Sequence, residues 1–304
     1  MTSAIATTGL TKRYGQRAAV DGLDIEVPEG TLAGFIGPNG AGKTTTLRML
    51  VGLVAPTSGG GTVLGAPLAE PRRYLGRVGA LIEGPAFYAG LSGEYNLRVL
   101  AAAAGVAAGQ IPALLGKVGL SDRAADPYKT YSLGMKQRLG IAAALLGDPE
   151  LLILDEPANG LDPEGMHDMR ELLRTLPDEG RTVLVSSHLL AELEQICDWL
   201  IVIGEGRRLF QGPPAGLVGS DMLALRPEHE DDLGALVDLL RAHGLAPQLA
   251  DSRVLVPFAD AEARRGEIAE LVRTATAAGV TLVEIGVGHT HLEQSYLGLI
   301  AATQ

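Results

Sequence analysis
Cysteine is almost missing from this chain. Cys197 is the single one, so no disulfide can close within the chain and no thiol cluster can hold a metal; the expectation is a cytosolic protein with Cys197 as a small buried apolar residue. Long apolar runs are missing as well. No stretch reaches the roughly 18 apolar residues of a membrane span, and the richest candidate, Leu100 to Ala108, is short and made largely of alanine and glycine. The opening residues, Met1 to Gly15, have no apolar core of signal-peptide length. Any membrane association is therefore expected to come through another subunit. Positive charge is also scarce, with a formal net charge of −11, which argues against a nucleic-acid-binding surface.

What is present is material for a large core. The 304 residues, 46% of them hydrophobic, suffice for one large α/β domain and a smaller one. The most informative stretch is Gly37-Pro38-Asn39-Gly40-Ala41-Gly42-Lys43-Thr44-Thr45. It follows the apolar run Leu32 to Ile36 and opens an amphipathic segment carrying Leu47, Met49 and Leu50, so the G-x-x-x-x-G-K-[ST] phosphate loop stands in its required strand-to-helix setting. Its glycines let successive N–H groups and a helix N-terminus face an anion. Lys43 would reach the outer phosphates, and Thr44 would hold Mg²⁺.

Short strands broken by Tyr14-Gly15 and Asp21-Gly22 precede this loop, and after its helix Pro56 to Gly61 reads as a connecting loop before a strand at Thr62 to Leu64. A second apolar run spans Val78 to Ile82. From about Gly84 to Gly147 the chain turns Ala/Leu-rich with helical spacing, which predicts a helical subdomain at about 84–148 inserted between strands. Strands return at Leu151–Leu154, Thr182–Val185 and Leu200–Ile203, separated by helices, so the core is expected to be a parallel sheet. The predicted nucleotide-binding domain is 1–215.

Pro213-Pro214 marks a linker to a second domain, 216–304. There a strand near Met222–Leu225 leads to a helix with Pro227 in its first turn. Strands at Gln248–Leu249 and Arg253–Val256 follow, then a helix opened by Asp260, a strand Thr281–Val287 and a last short helix. This β-α-β-β-α-β order is the ferredoxin-like split pattern.

The second nucleotide element is Leu151-Leu152-Ile153-Leu154-Asp155-Glu156-Pro157, an apolar strand that delivers two carboxylates at its end. In phosphate-loop folds the first lies near Mg²⁺ and the second where a water can be held in line with the γ-phosphate. Asp155 is thus the metal-side carboxylate and Glu156 the candidate general base.

Tyr131-Ser132-Leu133-Gly134-Met135-Lys136-Gln137-Arg138-Leu139, just upstream, resembles the signature motif of ATP-binding cassette (ABC) ATPases. Tyr14 looks like that family's adenine-stacking aromatic, although a half-buried strand tyrosine would read the same. Asn159-Gly160-Leu161-Asp162 resembles its D-loop, and His188, after Val185-Ser186-Ser187, its γ-phosphate-sensing histidine. The resemblance covers roughly residues 4–215, with the motifs in order. It implies ATP and Mg²⁺ as cofactors and a homodimer formed through the nucleotide-binding domains. In that dimer Ser132, Leu133, Gly134 and Met135 of one copy face the ATP on the phosphate loop of the other. It further implies a separately encoded membrane permease and a place at the inner face of the cell membrane. An ABC-type ATPase acting on nucleic acid or the ribosome is the alternative; it would need coiled-coil insertions or a second cassette, which the chain does not contain.

Two positions depart from the usual pattern. Leu133 and Met135 stand where the family carries Gly and Gln, and Glu83 stands where most members carry glutamine. A carboxylate beside Mg²⁺ is a stronger ligand than an amide, so Glu83 is expected to join Thr44 and Asp155 at the metal. Glu83 and the Ser-x-Gly-Met-Lys-Gln-Arg form of the signature resemble the bacterial subfamily that exports, or protects against, bacitracin, lantibiotics and related peptides. Phe87, Tyr88 and Leu91 form a small apolar patch that fits either permease docking or the core of the helical subdomain.

Overall fold
The computed structural model describes residues 2–84, 86–217, 222–250, 252–257 and 265–288, and the chain divides after Pro214 into two units. In the first unit, β1 (Ser3–Tyr14), β2 (Arg17–Leu23) and β3 (Glu26–Pro28) precede β4 (Leu32–Ile36) and α1 (Lys43–Leu50). β5 (Ser58–Val63), β6 (Ala66–Pro67) and β7 (Val78–Leu81) follow. The helices α2 (Gly93–Ala104), α3 (Ile111–Lys117) and α4 (Leu133–Ala144) then lead to β8 (Leu151–Leu154) and α5 (Pro163–Asp178). β9 (Thr182–Ser187), α6 (Leu190–Leu193), β10 (Trp199–Gly204) and β11 (Arg207–Gly212) complete this unit, and α7 (Pro214–Leu217) starts at its boundary.

β1, β2, β3, β5 and β6 make an antiparallel sheet. The run 56–61, expected as a loop, is in part a strand: Ser58 to Gly61 pair with β1. The reason is that glycine permits an approach no other residue would, since a β-carbon on Gly61 would fall 2.1 Å from the Ala6 carbonyl oxygen. Turn-forming composition is here overridden by backbone packing.

The larger sheet runs β11-β10-β4-β9-β8-β7, parallel from β10 to β7. Every residue of β4, β8 and β9 is buried, which is why these strands read as continuous apolar runs rather than alternating ones. Because β4, β9 and β8 are hydrogen-bonded neighbours pointing the same way, the loops leaving their C-terminal ends lie side by side. That is where open α/β sheets bind ligands. α5 covers the sheet with Met169, Leu173 and Leu176, a buried stripe at helical spacing.

The helical segment between β7 and β8 holds α2, α3 and α4 packed on one another. Phe87 turns inward there, its ring 5.1 Å from that of Tyr128 in an edge-to-face contact, whereas Tyr88 is exposed. The apolar patch read from the sequence is thus split between core and surface.

The second unit contains β12 (Met222–Pro227), α8 (Leu233–Ala242), β13 (Gln248–Ala250), β14 (Arg253–Pro257), α9 (Arg265–Ala277) and β15 (Leu282–Gly288). Its antiparallel sheet has the order β13-β14-β12-β15, the split β-α-β arrangement expected from the sequence. Leu223 and Leu225 of β12 share a core with Val254, Val256, Leu236, Leu240 and Leu271. Pro227 ends β12 opposite Leu282 instead of opening a helix; the helix begins at Leu233 after a single tight turn at Glu230–Asp232. Asp260 and the last expected helix lie outside the described residues.

Candidate functional site
The phosphate loop is shaped by contacts that exclude side chains. Gly42 adopts φ +101, and a β-carbon there would lie 2.4 Å from the Ala19 carbonyl oxygen, while one on Gly37 would lie 2.5 Å from the Ile203 carbonyl oxygen. Both glycines are therefore required by space. No side chain caps the N-terminus of α1, so its first-turn N–H groups are directed at whatever anion occupies the cleft. Lys43, at the first position of α1, is buried and donates a hydrogen bond from Nζ to the Gly37 carbonyl at 2.6 Å.

A cleft of about 600 Å³ opens over this loop, lined by Tyr14, Arg17, Lys43, Thr44, Thr45, Glu156, Asn159 and His188. Pro38, Asn39, Gly40 and Gly42 of the loop also line it.

Glu156, just past β8, has φ +48, a conformation that costs a residue with a side chain and persists only where surroundings impose it. Its backbone N–H donates to Ser186 Oγ at 2.9 Å. Its carboxylate meets Lys43 Nζ at 3.2 Å and His188 Nδ1 at 2.8 Å. Ser186 donates in turn to the buried Asp155 carboxylate at 2.6 Å. One hydroxyl near the end of β9 thereby joins the Asp155 carboxylate to the Glu156 backbone at the end of β8.

The signature residues lie elsewhere. Ser132 caps α4, accepting from the Met135 N–H at 3.2 Å, and with Leu133, Gly134, Asp162 and Arg138 it lines a second cleft. Asp162 caps α5 by accepting from the Gly165 N–H at 2.9 Å. Within one chain, none of Ser132, Leu133, Gly134, Arg138 and Asp162 lines the phosphate-loop cleft.

A family model described as "ABC transporter" matches residues 20–159. The bacitracin transport ATP-binding protein BcrA of Bacillus licheniformis is 47% identical over 216 residues, 70% of this chain and 71% of that protein. The chain belongs to the ABC transporter ATP-binding family. The lantibiotic transport ATP-binding protein SrtF of Streptococcus pyogenes is 44% identical over 202 residues, covering 66% of this chain and 87% of SrtF. A solved ATP-binding subunit of an ABC transporter superposes with a TM-score of 0.62 at 30% identity, over 80% of this chain and 94% of that one.

The protein is thus an ABC ATPase, the ATP-binding subunit of a transporter, and not an ATPase of the nucleic-acid or ribosome type. Of the residues read from its sequence, the structure brings Tyr14, Gly37 to Thr45, Asp155, Glu156 and His188 to one place or its immediate support. Glu83 stands apart. At φ +65 beyond β7 it makes an ion pair with Arg48 of α1 and does not line the cleft. This geometry gives no support to its expected place at the metal: the carboxylate is already engaged by the guanidinium.

Two residues of this ABC ATPase escaped the sequence reading. Ser186 had a weak signal, a hydroxyl pair ending an otherwise apolar strand. Arg17 had none, because its placement depends on the hairpin pairing it with Tyr14. Cys197 is buried as expected, and burial pushes its thiol pKa far up. Among the described residues no helix is long and apolar enough to cross a membrane.

Proposed function
We propose that this ATPase works as a homodimer closed by two ATP molecules, on a separately encoded permease, in the export of a peptide antibiotic or a similar compound. The observation that carries the dimer is the separation of the phosphate-loop cleft from the cleft holding Ser132, Leu133, Gly134 and Asp162. Hydrolysis needs phosphate oxygens surrounded by donors, and a second copy supplies Ser132 and the N-terminus of α4. Tyr14 stacks on the adenine, and Met135 leaves the side-chain contact of the usual glutamine unmade.

Mg²⁺ uses one or two protein oxygens together with waters and substrate phosphates. The Thr44 hydroxyl at the cleft and the Asp155 carboxylate fixed by Ser186 fit that donor set. Bound there, the ion would neutralise charge on the phosphates. Glu156 orients and deprotonates the attacking water, and His188 contacts the γ-phosphate.

Peptide-antibiotic export is supported by likeness to transport proteins for bacitracin and for lantibiotics. Exposed Tyr88 and Tyr95 on the helical segment suit a permease contact at the inner membrane face. The unit after Pro214 is an accessory domain.

Mixing wild type with Ser132→Arg tests the shared site. Activity per wild-type chain should fall as the variant is added in excess; constant activity would sink the dimer reading. For the permease, fractionation of cells with and without the neighbouring membrane gene should move the ATPase to the membrane only when that gene is present.

A further inference from the structure
We infer that Arg17 is a further nucleotide-binding residue, contacting the phosphate nearest the nucleoside. The inference rests on the reading of the phosphate-loop cleft as the ATP site. Arg17 and Tyr14 are direct partners across the two-residue turn joining β1 and β2, so their side chains leave the hairpin on the same face. Both line the cleft. The Arg17 guanidinium is directed at the phosphate loop: its Nη2 atom lies 3.8 Å from the position of a β-carbon on Gly40.

The charge arrangement in the cleft gives this placement its meaning. Lys43 is held between the Gly37 carbonyl and the Glu156 carboxylate, at the end of the cleft where hydrolysis is prepared. Arg17 lines the same cleft beside the tyrosine, and among the described residues its guanidinium has no hydrogen bond and no ion pair. A base stacked on Tyr14 with its outer phosphates at Lys43 runs its inner phosphate past Arg17 and Gly40. A planar guanidinium offers paired N–H donors that match two phosphate oxygens, so the contact is a charge-assisted hydrogen bond. It serves ATP and ADP alike, because it touches neither the γ-phosphate nor the reacting water.

The test is calorimetric titration of the full chain and its Arg17→Ala and Arg17→Lys variants with ATP, ADP and adenosine, at low and at raised salt. Arg17→Ala should weaken ATP and ADP about tenfold, as expected for loss of a partly exposed hydrogen bond to a charged group, and should flatten the salt dependence. Adenosine affinity should stay unchanged, and Arg17→Lys should recover part of the loss. Wild-type-like binding of ATP and ADP by Arg17→Ala would overturn the assignment, as would equal weakening of ATP and adenosine. A Lys43→Ala variant that bound ATP like wild type would instead overturn the cleft reading itself. Should Arg17→Ala fail to fold by circular dichroism, Arg17→Gln takes its place with the same expected values.

Discussion

The Glu156 carboxylate lies 3.2 Å from the Lys43 ammonium, so the candidate base and the lysine of the phosphate loop neutralise each other. Both side chains are largely buried, where an unpaired charge is costly. On the proposed reading a γ-phosphate entering the loop would take over Lys43 and leave Glu156 to His188, its other partner at 2.8 Å.

Glu156→Gln keeps the shape of this group and removes its charge and basicity. Hydrolysis should slow by about 10²–10⁴-fold, the range for a lost general base. ATP affinity should hold or rise, since Lys43 no longer has a competing anion. Steady-state ATPase rates beside ATP titrations decide it, and a loss of affinity as large as the loss of rate would remove the base role from Glu156.

Ser186→Ala deletes the hydroxyl that donates to Asp155 and accepts from the Glu156 N–H. Leaving buried polar groups without partners costs roughly 1–3 kcal/mol, to be read from urea unfolding midpoints. The ATPase rate should fall about tenfold, a modest loss of positioning compared with the loss of the base itself. An unaltered midpoint together with an unaltered rate would show that the bridge carries nothing.

Glu83 provides a clean comparison between a metal ligand and an ion-pair partner. Because its carboxylate engages Arg48 on α1, Glu83→Gln should leave the Mg²⁺ concentration for half-maximal ATPase unchanged. A several-fold rise in that concentration would return Glu83 to the metal.

Acid should act on the Arg77–Glu150 pair, which ties the start of β7 to the start of β8 through two hydrogen bonds of 2.6 Å. The Arg77 hydrogen bond holds the Glu150 carboxyl below its ordinary value of 4.5. A lowered carboxyl pKa stabilises the fold above the unfolded value and loses that effect as pH falls through the folded one. Both side chains are about half exposed, so solvent screening limits the pair to roughly 0.2–1 kcal/mol. Glu150→Gln should lower stability by that amount at neutral pH, with the gap to wild type closing below pH 4.5. A gap that persisted in acid or in high salt would mean the glutamate acts through packing.

The phosphate loop, the carboxylate strand and the signature were legible in the order of residues alone, because each depends on residue types at fixed short spacing: glycines where no β-carbon fits, a lysine at a helix start, acids at the end of an apolar strand. The parallel core was legible too, since strands buried on both faces leave uninterrupted apolar runs. Spacing could not say which loops meet. Only the strand order, with β9 between β4 and β8, brings Ser186 against Asp155 and His188 against Glu156. Only the hairpin register sets Arg17 beside Tyr14, and only the chain's path after β7 turns Glu83 to Arg48. Local chemistry is written in neighbouring residues, whereas these contacts join positions far apart in the chain and are decided by how the sheet is assembled.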